Sequence, residues 1–323
     1  MRIGFTYDLR DDYLREGFSE EETAELDAIE TIEAIDRTLT SLGHTVDRIG
    51  GVRSLARRLT AGDRWDLVFN YAEGLFGFAR EAQVPALLDA FRIPYTFSDG
   101  LVLAVTLHKG VAKHVARGLG VPTPDFAVVA GEDEIDRVAL PYPLFVKPVA
   151  SGSSIGISEA SFAPDRAALA SAVRDLATRF RQPAIVETFL PGRELTVGMI
   201  GTGPRARTIG VLEVSLTGDA EPHGYTYANK KKVHATYAVV DDATAREAAA
   251  MALRLWKRLG CRDCGRVDIR CDAAGRPQFL EVNPLAGLHP ELGDIVILAG
   301  LVGVSYKELI GSIVKSASER LTD

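Results

Sequence analysis

Residues 265–283 read Gly-Arg-Val-Asp-Ile-Arg-Cys-Asp, Ala-Ala-Gly-Arg-Pro and Gln-Phe-Leu-Glu-Val-Asn, and they predict a β-hairpin. Both arms alternate polar with apolar or β-branched residues at a period of two, and Gly275 gives a tight turn the backbone freedom it needs. If Ala274 and Gly275 form the centre of the turn, Asp268 lies directly opposite Glu281 on one face. Two carboxylates in this arrangement repel each other, so the pairing requires a compensating group.

The same register places Arg266 opposite Asn283 on the carboxylate face of the hairpin. Carboxylate and amide oxygens are ligands that suit Mg²⁺ or Mn²⁺, which keep their other positions for water and a substrate phosphate. A polar hairpin face exposed to solvent has the same sequence pattern. The hairpin by itself therefore leaves a metal site and a solvated surface as alternatives.

The composition is that of a globular protein with room for two or three domains. The chain has 323 residues, of which 46% are hydrophobic and 25% are charged. A net charge of −7 disfavours broad binding to nucleic acid or to anionic membranes. The first residues predict a strand and lack a signal-peptide layout, and the longest apolar run, 295–304, is too short to span a bilayer. We therefore expect a cytoplasmic protein with neither a nucleic-acid nor a membrane partner.

The three cysteines are expected to fill the core as free thiols. Cys261 and Cys264 form a Cys-x-x-Cys pair, but no second pair or flanking histidine completes a zinc set. Cys271 lies in the predicted hairpin. Small buried thiols in a reducing compartment are the expectation, and a redox role of the pair is the alternative.

Residues 1–100 predict a small parallel α/β domain, because strand and helix patterns alternate regularly. The expected strands are 3–7, 46–49 and 67–70, and the expected helices are 23–42, 55–59 and 85–91. No G-x-G-x-x-G follows the first strand, so the dinucleotide fingerprint is absent.

The rest of the chain contains two candidate binding loops. Residues 148–156, Pro-Val-Ala-Ser-Gly-Ser-Ser-Ile-Gly, expose backbone N–H groups that suit phosphate oxygens, although the Walker A ending is missing. The polar segment 218–235 carries a run of three lysines and is either a functional loop or a solvated cluster. The expected helices are 107–119, 167–180, 242–259 and 306–320, and the expected strands are 126–130, 144–147, 184–189, 194–200 and 208–214.

Six motifs in order resemble those of the ATP-grasp enzymes, and within them the D-alanine:D-alanine ligase group. They are Phe69-Asn70-Tyr-Ala-Glu73-Gly74 with Glu81-Ala-Gln-Val-Pro85; His108-Lys109; Phe145-Val-Lys147-Pro148 with Gly152-Ser153-Ser154-Ile-Gly156; Glu187-Thr-Phe-Leu190-Pro-Gly-Arg-Glu194; Tyr227-Ala-Asn-Lys230; and Gly265-Arg266-Val-Asp268 with Leu280-Glu281-Val-Asn283. The resemblance implies an α/β fold, α+β in part. An N-terminal α/β domain would cover 1–100, an ATP-grasp subdomain with the phosphate loop 101–181, and a second subdomain with the metal-binding hairpin 182–323.

The resemblance also implies the residues that bind ATP and metal. The expected nucleotide-binding residues are Lys109, Lys147 and Lys230 at the phosphates, Ser153 in the phosphate loop, Glu187 and Leu190 at the adenine, and Glu194 at the ribose. Asp268, Glu281 and Asn283 would hold two Mg²⁺ or Mn²⁺ ions, which answers the repulsion in the hairpin. Arg266 would stabilise the charge that develops during transfer. With Ser153 and Lys230, it forms the expected catalytic set.

The reaction implied by the resemblance has two steps. A substrate carboxylate attacks the γ-phosphate of ATP and forms an acyl phosphate, and an amine then displaces the phosphate to form an amide. A closed loop carrying Lys230 would keep water from the acyl phosphate. The expected partners are an amino acid or related carboxylate and an amine, and a homodimer is expected by family analogy alone.

The amino-acid half of the chain departs from the family pattern. Glu25 is the stand-in for the family glutamate that contacts the first amino group, and the resemblance also assigns Glu73, Gly287 and His289 to the substrates. Leu292 replaces the serine that helps to bind the second carboxylate. A site that loses such a partner loses affinity for that carboxylate. These changes predict a different second substrate or a rebuilt pocket.

Three interpretations of function follow. The first is an ATP-dependent carboxylate–amine ligase of the D-alanine:D-alanine ligase type. The second is a specialised amino-acid ligase of a biosynthetic pathway. The third, from another class, is a nucleotide-binding regulatory protein on an ATP-grasp fold, against which the complete metal hairpin argues.

Overall fold

The structure is a computed structural model that describes residues 1–218 and 235–321. Its strands are β1 Arg2–Tyr7, β2 Thr45–Arg48, β3 Leu67–Tyr71, β4 Phe126–Val129, β5 Leu144–Pro148, β6 Phe162–Ala163, β7 Ala184–Thr188, β8 Glu194–Ile200, β9 Arg207–Leu216, β10 Ala235–Val239, β11 Cys264–Cys271 and β12 Pro277–Asn283. Its α-helices are α1 Arg10–Arg15, α2 Ile29–Ser41, α3 Val52–Thr60, α4 Gln83–Ala90, α5 Gly100–Leu107, α6 Lys109–Gly118, α7 Arg166–Phe180, α8 Ala243–Leu259, α9 Asp294–Leu301 and α10 Tyr306–Glu319. The lysine run that includes Lys230 lies outside the described residues.

The N-terminal sheet is parallel, as predicted. Its strand order is β2-β1-β3, and β1 pairs in parallel with both neighbours. Ile3, Phe5 and Phe69 are fully buried, and side chains of α2, α9 and α10 belong to the same core. The C-terminal helices therefore complete the hydrophobic core that the first sheet begins.

Helix α2 is shorter than the predicted helix 23–42, because the segment before it binds elsewhere. The Arg10 guanidinium donates to the carbonyl oxygens of Thr23 and Ala24 at 3.0 and 2.9 Å. The Asp27 N–H donates to Asp8 O at 3.2 Å, so the chain forms turns and an isolated bridge where the pattern predicted the start of a helix. This loop carries Glu25 and Asp27 towards a pocket.

Two antiparallel sheets form the rest of the described fold. The four-stranded sheet has the order β4-β7-β5-β6 and packs against α7. The five-stranded sheet has the order β10-β9-β8-β11-β12 and packs against α8, whose Trp256 is fully buried. Residues of both sheets face a common cleft. This arrangement confirms the predicted α/β, partly α+β, fold class, whereas the proposed domain boundaries stay a prediction.

The hairpin β11–β12 has the predicted pairs but a different turn. Asp268 pairs with Glu281 and Arg266 with Asn283, as expected. Nearer the turn, Cys271 pairs with Pro277, so the loop is centred on Ala274 instead of between Ala274 and Gly275, and a β-bulge restores the predicted register at Asp268. The bulge leaves Leu280 unpaired, and this side chain therefore lines the cleft beside Glu281.

The predicted helix 107–119 is the end of one helix and the whole of another. His108 has φ −85° and ψ 96°, which ends α5, and its Nδ1 accepts from the Val111 N–H at 3.2 Å and caps α6. The break frees the Lys109 N–H to donate to Val149 O at 2.9 Å. Lys109 is thereby fixed beside the phosphate loop.

Phe97 adopts the left-handed region with φ 68°. Its N–H donates to the buried Asp263 carboxylate at 2.7 Å, and its ring lies 5.6 Å from the ring of Phe69. Ser316 on α10 also donates to Asp263, at 2.8 Å. These contacts offset a backbone strain of roughly 1–3 kcal/mol and tie the C-terminal helix to the N-terminal sheet.

The three cysteines are free and buried, as predicted. Burial raises the pKa of Cys264 to about 12, which keeps this thiol protonated. In the described part of the chain, no single helix is long and apolar enough to cross a membrane. The bent pair α9 and α10, with 112° between its helices, meets the criteria of length and composition when taken together.

Candidate active site

A cleft between the two antiparallel sheets collects most of the predicted site residues. The predicted residues that line it are Lys109, Lys147, Ser153, Glu187, Leu190, Glu194, Arg266, Asp268 and Glu281. They come from α6, β5, β7, β8, β11, β12 and the loops between them, which brings together segments far apart in sequence. A concave site with convergent polar groups is the usual form of a ligand pocket.

One end of the cleft is built for a flat apolar group. Phe145, Ile157, Phe189, Leu190 and Leu280 supply its apolar walls. The predicted ribose residue, Glu194, lies at the same end, and its carboxylate is 3.6 Å from the Arg270 guanidinium. A planar base between these walls, with its sugar near Glu194, fits the predicted positions of the adenine and the ribose.

Glu187 lies between two buried lysines. Lys113 Nζ is 2.5 Å from Oε1 and Lys147 Nζ is 2.7 Å from Oε2. Burial acts to raise the pKa of Glu187, but attraction to Lys113 and then to Lys147 outweighs it, so the pKa is lowered. Burial and the neighbouring Lys147 lower the pKa of Lys113 to about 8, whereas Glu187 and Glu281 keep the pKa of Lys147 raised in spite of burial.

Lys109 connects the phosphate loop to the metal hairpin. Its Nζ lies 3.1 Å from Glu281 Oε2 and also donates to Ser151 O. The pKa of Glu281 is lowered in spite of burial, because Lys109 and then Lys147 attract its charged form. Lys109 therefore lies where a phosphate group would meet both the loop and the hairpin.

The loop after β5 has the geometry of an anion-binding turn. Ser153, Ser154 and Gly156 have φ values of 48°, 58° and 71°. Successive residues in such conformations turn backbone N–H groups towards one side, which favours phosphate oxygens. The Gly152 N–H donates to the Glu25 carboxylate, so Glu25 is held against the loop.

Asp268 is the centre of the hairpin's hydrogen-bond network. It accepts from Arg266 Nη1, from Thr196 Oγ1 at 2.9 Å and from Asn283 Nδ2 at 3.1 Å. Arg266 Nε also lies 3.8 Å from Asp294. The predicted pair of Arg266 and Asp268 therefore meets a third charged group, Asp294, at the edge of the cleft.

The residues predicted to bind metal fit a hard cation. Burial, with the charges of Glu281 and Asp294, raises the pKa of Asp268 to about 6 although Arg266 opposes this. A cation between Asp268 and Glu281 would relieve that repulsion. Among residues 1–218 and 235–321, no group of three or more His, Cys, Asp or Glu side chains is close enough for a metal ion. Asn283, the predicted third ligand, lies beside this pair and donates to Asp268 through Nδ2.

A second pocket adjoins the phosphate end of the cleft and contains most of the predicted substrate residues. Glu25, Glu73 and Gly287 line it, and so does Asn283 of the metal set. His289 lines neither this pocket nor the cleft in the described structure. Its Nδ1 instead accepts from the N–H groups of residues 291 and 292, both at 3.2 Å, and so stabilises its own loop.

Sequence reasoning missed several residues that hold this site together. Lys113 pairs with Glu187, Arg80 lies 2.6 Å from Glu25, and Thr196 donates to Asp268. Asp294 lies beside Arg266, and Asp27 lines the second pocket. A signal existed only for Lys113, which is four residues after Lys109 and therefore shares its helix face.

Comparisons with known proteins identify relatives along most of the chain. The family described as D-ala D-ala ligase C-terminus matches residues 115–315. The chain is 32% identical over 273 residues to the D-alanine–D-alanine ligase of Bordetella petrii, covering 83% of this chain and 80% of that protein. It is also 32% identical over 260 residues to the uncharacterized protein y4sG of Sinorhizobium fredii, covering 79% and 75%.

Solved structures share the fold. The D-alanine–D-alanine ligase from Bacillus anthracis complexed with ATP has a TM-score of 0.75 at 20% identity and covers 100% of this chain and 99% of that chain. The VanG D-Ala:D-Ser ligase from Enterococcus faecalis has a TM-score of 0.74 at 19% identity and covers 98% and 99%. At these identities the match shows the fold alone. The sequence relatives and the family match show more: the chain belongs to the D-alanine–D-alanine ligase family of ATP-grasp enzymes, and it is an ATP-dependent ligase that forms a carbon–nitrogen bond.

Proposed function

We propose that this ligase joins the carboxyl group of an amino acid or related acid to an amine, and that its product is a dipeptide or a similar amide. The observation that carries the proposal is the convergence of Lys109, Lys147 and the pair Asp268–Glu281 on one cleft. These groups supply the positive charge and the oxygen ligands that phosphoryl transfer requires.

The residues of the cleft divide into positioning and charge stabilisation. The apolar walls around Leu190 hold the base, and Lys109 and Lys147 bind the phosphates. Arg266 is placed to stabilise negative charge on the transferred phosphoryl group. Mg²⁺ held by Asp268, Glu281 and Asn283 would neutralise charge on the phosphates. Lys230 and Ser153 remain part of the proposal as the loop lysine and the phosphate-loop hydroxyl.

The substrate carboxylate attacks the γ-phosphate, ADP leaves, and an acyl phosphate forms. The amine then attacks the acyl carbon, inorganic phosphate leaves, and the amine gives up a proton. Glu25, which is held between Arg80 and the Gly152 N–H, is proposed to face the amino group of the first substrate. Glu73 and Gly287 would border the second substrate, whereas His289 would act through the shape of its loop.

The second candidate is a specialised ligase with an acceptor other than D-alanine. Leu292 stands where the family has a carboxylate-binding serine, and this residue is 68% exposed.

We also propose that the protein resides in the cytoplasm, has no nucleic-acid or membrane partner and forms a homodimer. The proposed domain boundaries are 1–100, 101–181 and 182–323.

ADP release with Mg-ATP tests this function. D- and L-amino acids, hydroxy acids and amines would be added singly and in pairs, with the products identified by mass spectrometry. We expect ADP and an amide in equal amounts with at least one pair. ATP binding without ADP release across the panel would contradict the proposed substrate classes.

A further inference from the structure

The second pocket, which we call the acceptor pocket, is unusually acidic. Its carboxylates on the side away from the metal hairpin are Glu25, Asp27, Glu73 and Glu81. It shares Lys109, Ser153 and Glu281 with the ATP cleft, so a molecule inside it borders the phosphate end. The acceptor pocket is therefore placed for a substrate of the ligase reaction rather than for a remote effector.

Two of these carboxylates lack a countercharge of their own. Glu25 is paired with Arg80, and Asp27 bonds to the Tyr71 hydroxyl. Glu73 and Glu81 form no ion pair with a described residue within 4.0 Å. Burial raises the pKa values of both, and so does the charge of the neighbouring Glu25; the pKa of Glu81 reaches about 7. The empty pocket thus favours the protonated, neutral forms of these carboxyl groups, and a cationic ligand would restore their ionised forms.

The cations that line the acceptor pocket are already occupied. Among the described lining residues these are Lys109 and Arg266. Lys109 is paired with Glu281, and Arg266 with Asp268. The described walls therefore offer no cation that is available for a second substrate's carboxylate.

The segment after the hairpin does not replace the missing carboxylate receptor. The Leu288 N–H donates to the Tyr71 hydroxyl at 2.5 Å, and Leu288 O accepts from Tyr306 at 2.9 Å. Leu288 is fully buried, and Leu292 points to solvent. The backbone that could meet a carboxylate is bound to the core instead.

We propose that the amine substrate carries a second positive charge, as a diamine or a basic amino acid does, and that Asp27, Glu73 and Glu81 hold this charge. The inference rests on the proposed ligase function. The attacking amine lies towards Lys109 and the phosphate loop, and the second ammonium group lies towards the three carboxylates. Charge-assisted hydrogen bonds of this kind are stronger than neutral ones and select strongly against analogues that lack the charge.

Matched acceptors test this proposal. A mixture of glycine with D- and L-alanine and serine would serve as carboxylate donors with Mg-ATP. Ornithine is compared with norvaline, which has the same carbon chain without the second ammonium, and 1,4-diaminobutane with butylamine. We expect amides of the charged acceptors to form at least about tenfold faster than those of their neutral partners, a ratio that corresponds to one charge-assisted bond.

Variants then assign the selectivity to the pocket. Glu73→Gln is expected to raise KM for the charged acceptor about tenfold while KM for ATP stays unchanged, and Glu81→Gln provides a second variant at the same wall. Glu33→Gln, on the exposed face of α2, is the matched control with 47% of its side chain exposed.

The outcomes separate this proposal from the proposed function. Equal use of ornithine and norvaline overturns the charge proposal but leaves the ligase function intact. An equal loss for both acceptors in Glu73→Gln also overturns it, because the residue would then be merely structural. Failure to form any amide, with charged acceptors included, overturns both proposals.

Discussion

Replacing Lys113 by methionine tests whether the buried lysine pair organises the cleft. Lys113 is fully buried, lies 2.5 Å from the Glu187 carboxylate, and donates to Thr123 at 2.8 Å and to Phe279 O at 3.1 Å. Methionine keeps most of the volume and removes the charge. The substitution therefore isolates the electrostatic contribution from the packing.

The size of the effect follows from what remains after the substitution. Removing one partner of a buried ion pair costs about 3–5 kcal/mol. Glu187 keeps Lys147 at 2.7 Å, and the Thr123 hydroxyl still donates to Phe279 O at 2.7 Å. We therefore expect Lys113→Met to lower the free energy of unfolding by about 3 kcal/mol, the lower end of this range. KM for ATP should rise as well, because Glu187 is no longer fixed.

The pH dependence of this difference provides a second readout. The pKa of Lys113 is about 8 in the folded protein and 10.5 in the reference state. Between these values the unfolded chain binds more protons, so the contribution of Lys113 to stability rises with pH across this window. Lys113→Met should lack that contribution, and its deficit relative to the wild type should grow from pH 8 towards pH 10.

Urea denaturation at pH 7, 8.5 and 10, followed by tryptophan fluorescence, measures both effects. Lys257→Met, on the exposed face of α8, is the control and should change stability by less than about 0.5 kcal/mol. If Lys113→Met lowers the free energy of unfolding by less than about 1 kcal/mol and this loss does not vary with pH, the role assigned to Lys113 is refuted. Removal of one partner of a buried ion pair should cost more than this.

Further expectations concern the hairpin and the metal. Gly265→Ala would place a Cβ 2.6 Å from the Trp256 ring, so we expect a loss of about 3 kcal/mol in urea denaturation, and a change below about 0.5 kcal/mol would contradict this packing. Glu281→Gln and Asn283→Ala should abolish ADP release while the protein stays folded by circular dichroism; unchanged turnover would remove these residues from the metal site. EDTA should abolish turnover and Mg²⁺ or Mn²⁺ should restore it, whereas full activity in EDTA would contradict the metal requirement.

The parts of the fold that sequence reasoning could predict are those governed by local periodicity. The period of two in the hairpin was enough to pair Asp268 with Glu281. The bulge at Leu280 could not be predicted, because an apolar residue suits the core and the apolar end of a cleft equally well. The early part of the predicted helix 23–42 was wrong because Arg10, which is distant in sequence, binds its carbonyl oxygens.

The residues of the candidate site also fall into two groups, those that a contiguous sequence motif predicts and those that only the fold brings together. The predicted nucleotide and metal residues lie in contiguous motifs, so a family resemblance is enough to propose them from the amino-acid sequence. The acceptor pocket combines Asp27, Glu73 and Glu81 from separate parts of the sequence, and their clustering becomes visible only when the fold brings them together. The role of Lys113 as a positioning residue was not predicted, because a lysine in an amphipathic helix usually faces solvent.

Transfer of ¹⁸O from the substrate carboxylate to inorganic phosphate tests the central claim most directly. An acyl phosphate forms when a carboxylate oxygen attacks the γ-phosphate, so that oxygen leaves with the phosphate when the amine attacks the acyl carbon. With a doubly labelled carboxylate and Mg-ATP, we predict one ¹⁸O atom in the phosphate for each amide formed. Unlabelled phosphate released together with amide would contradict the acyl-phosphate mechanism and the role assigned to the cleft.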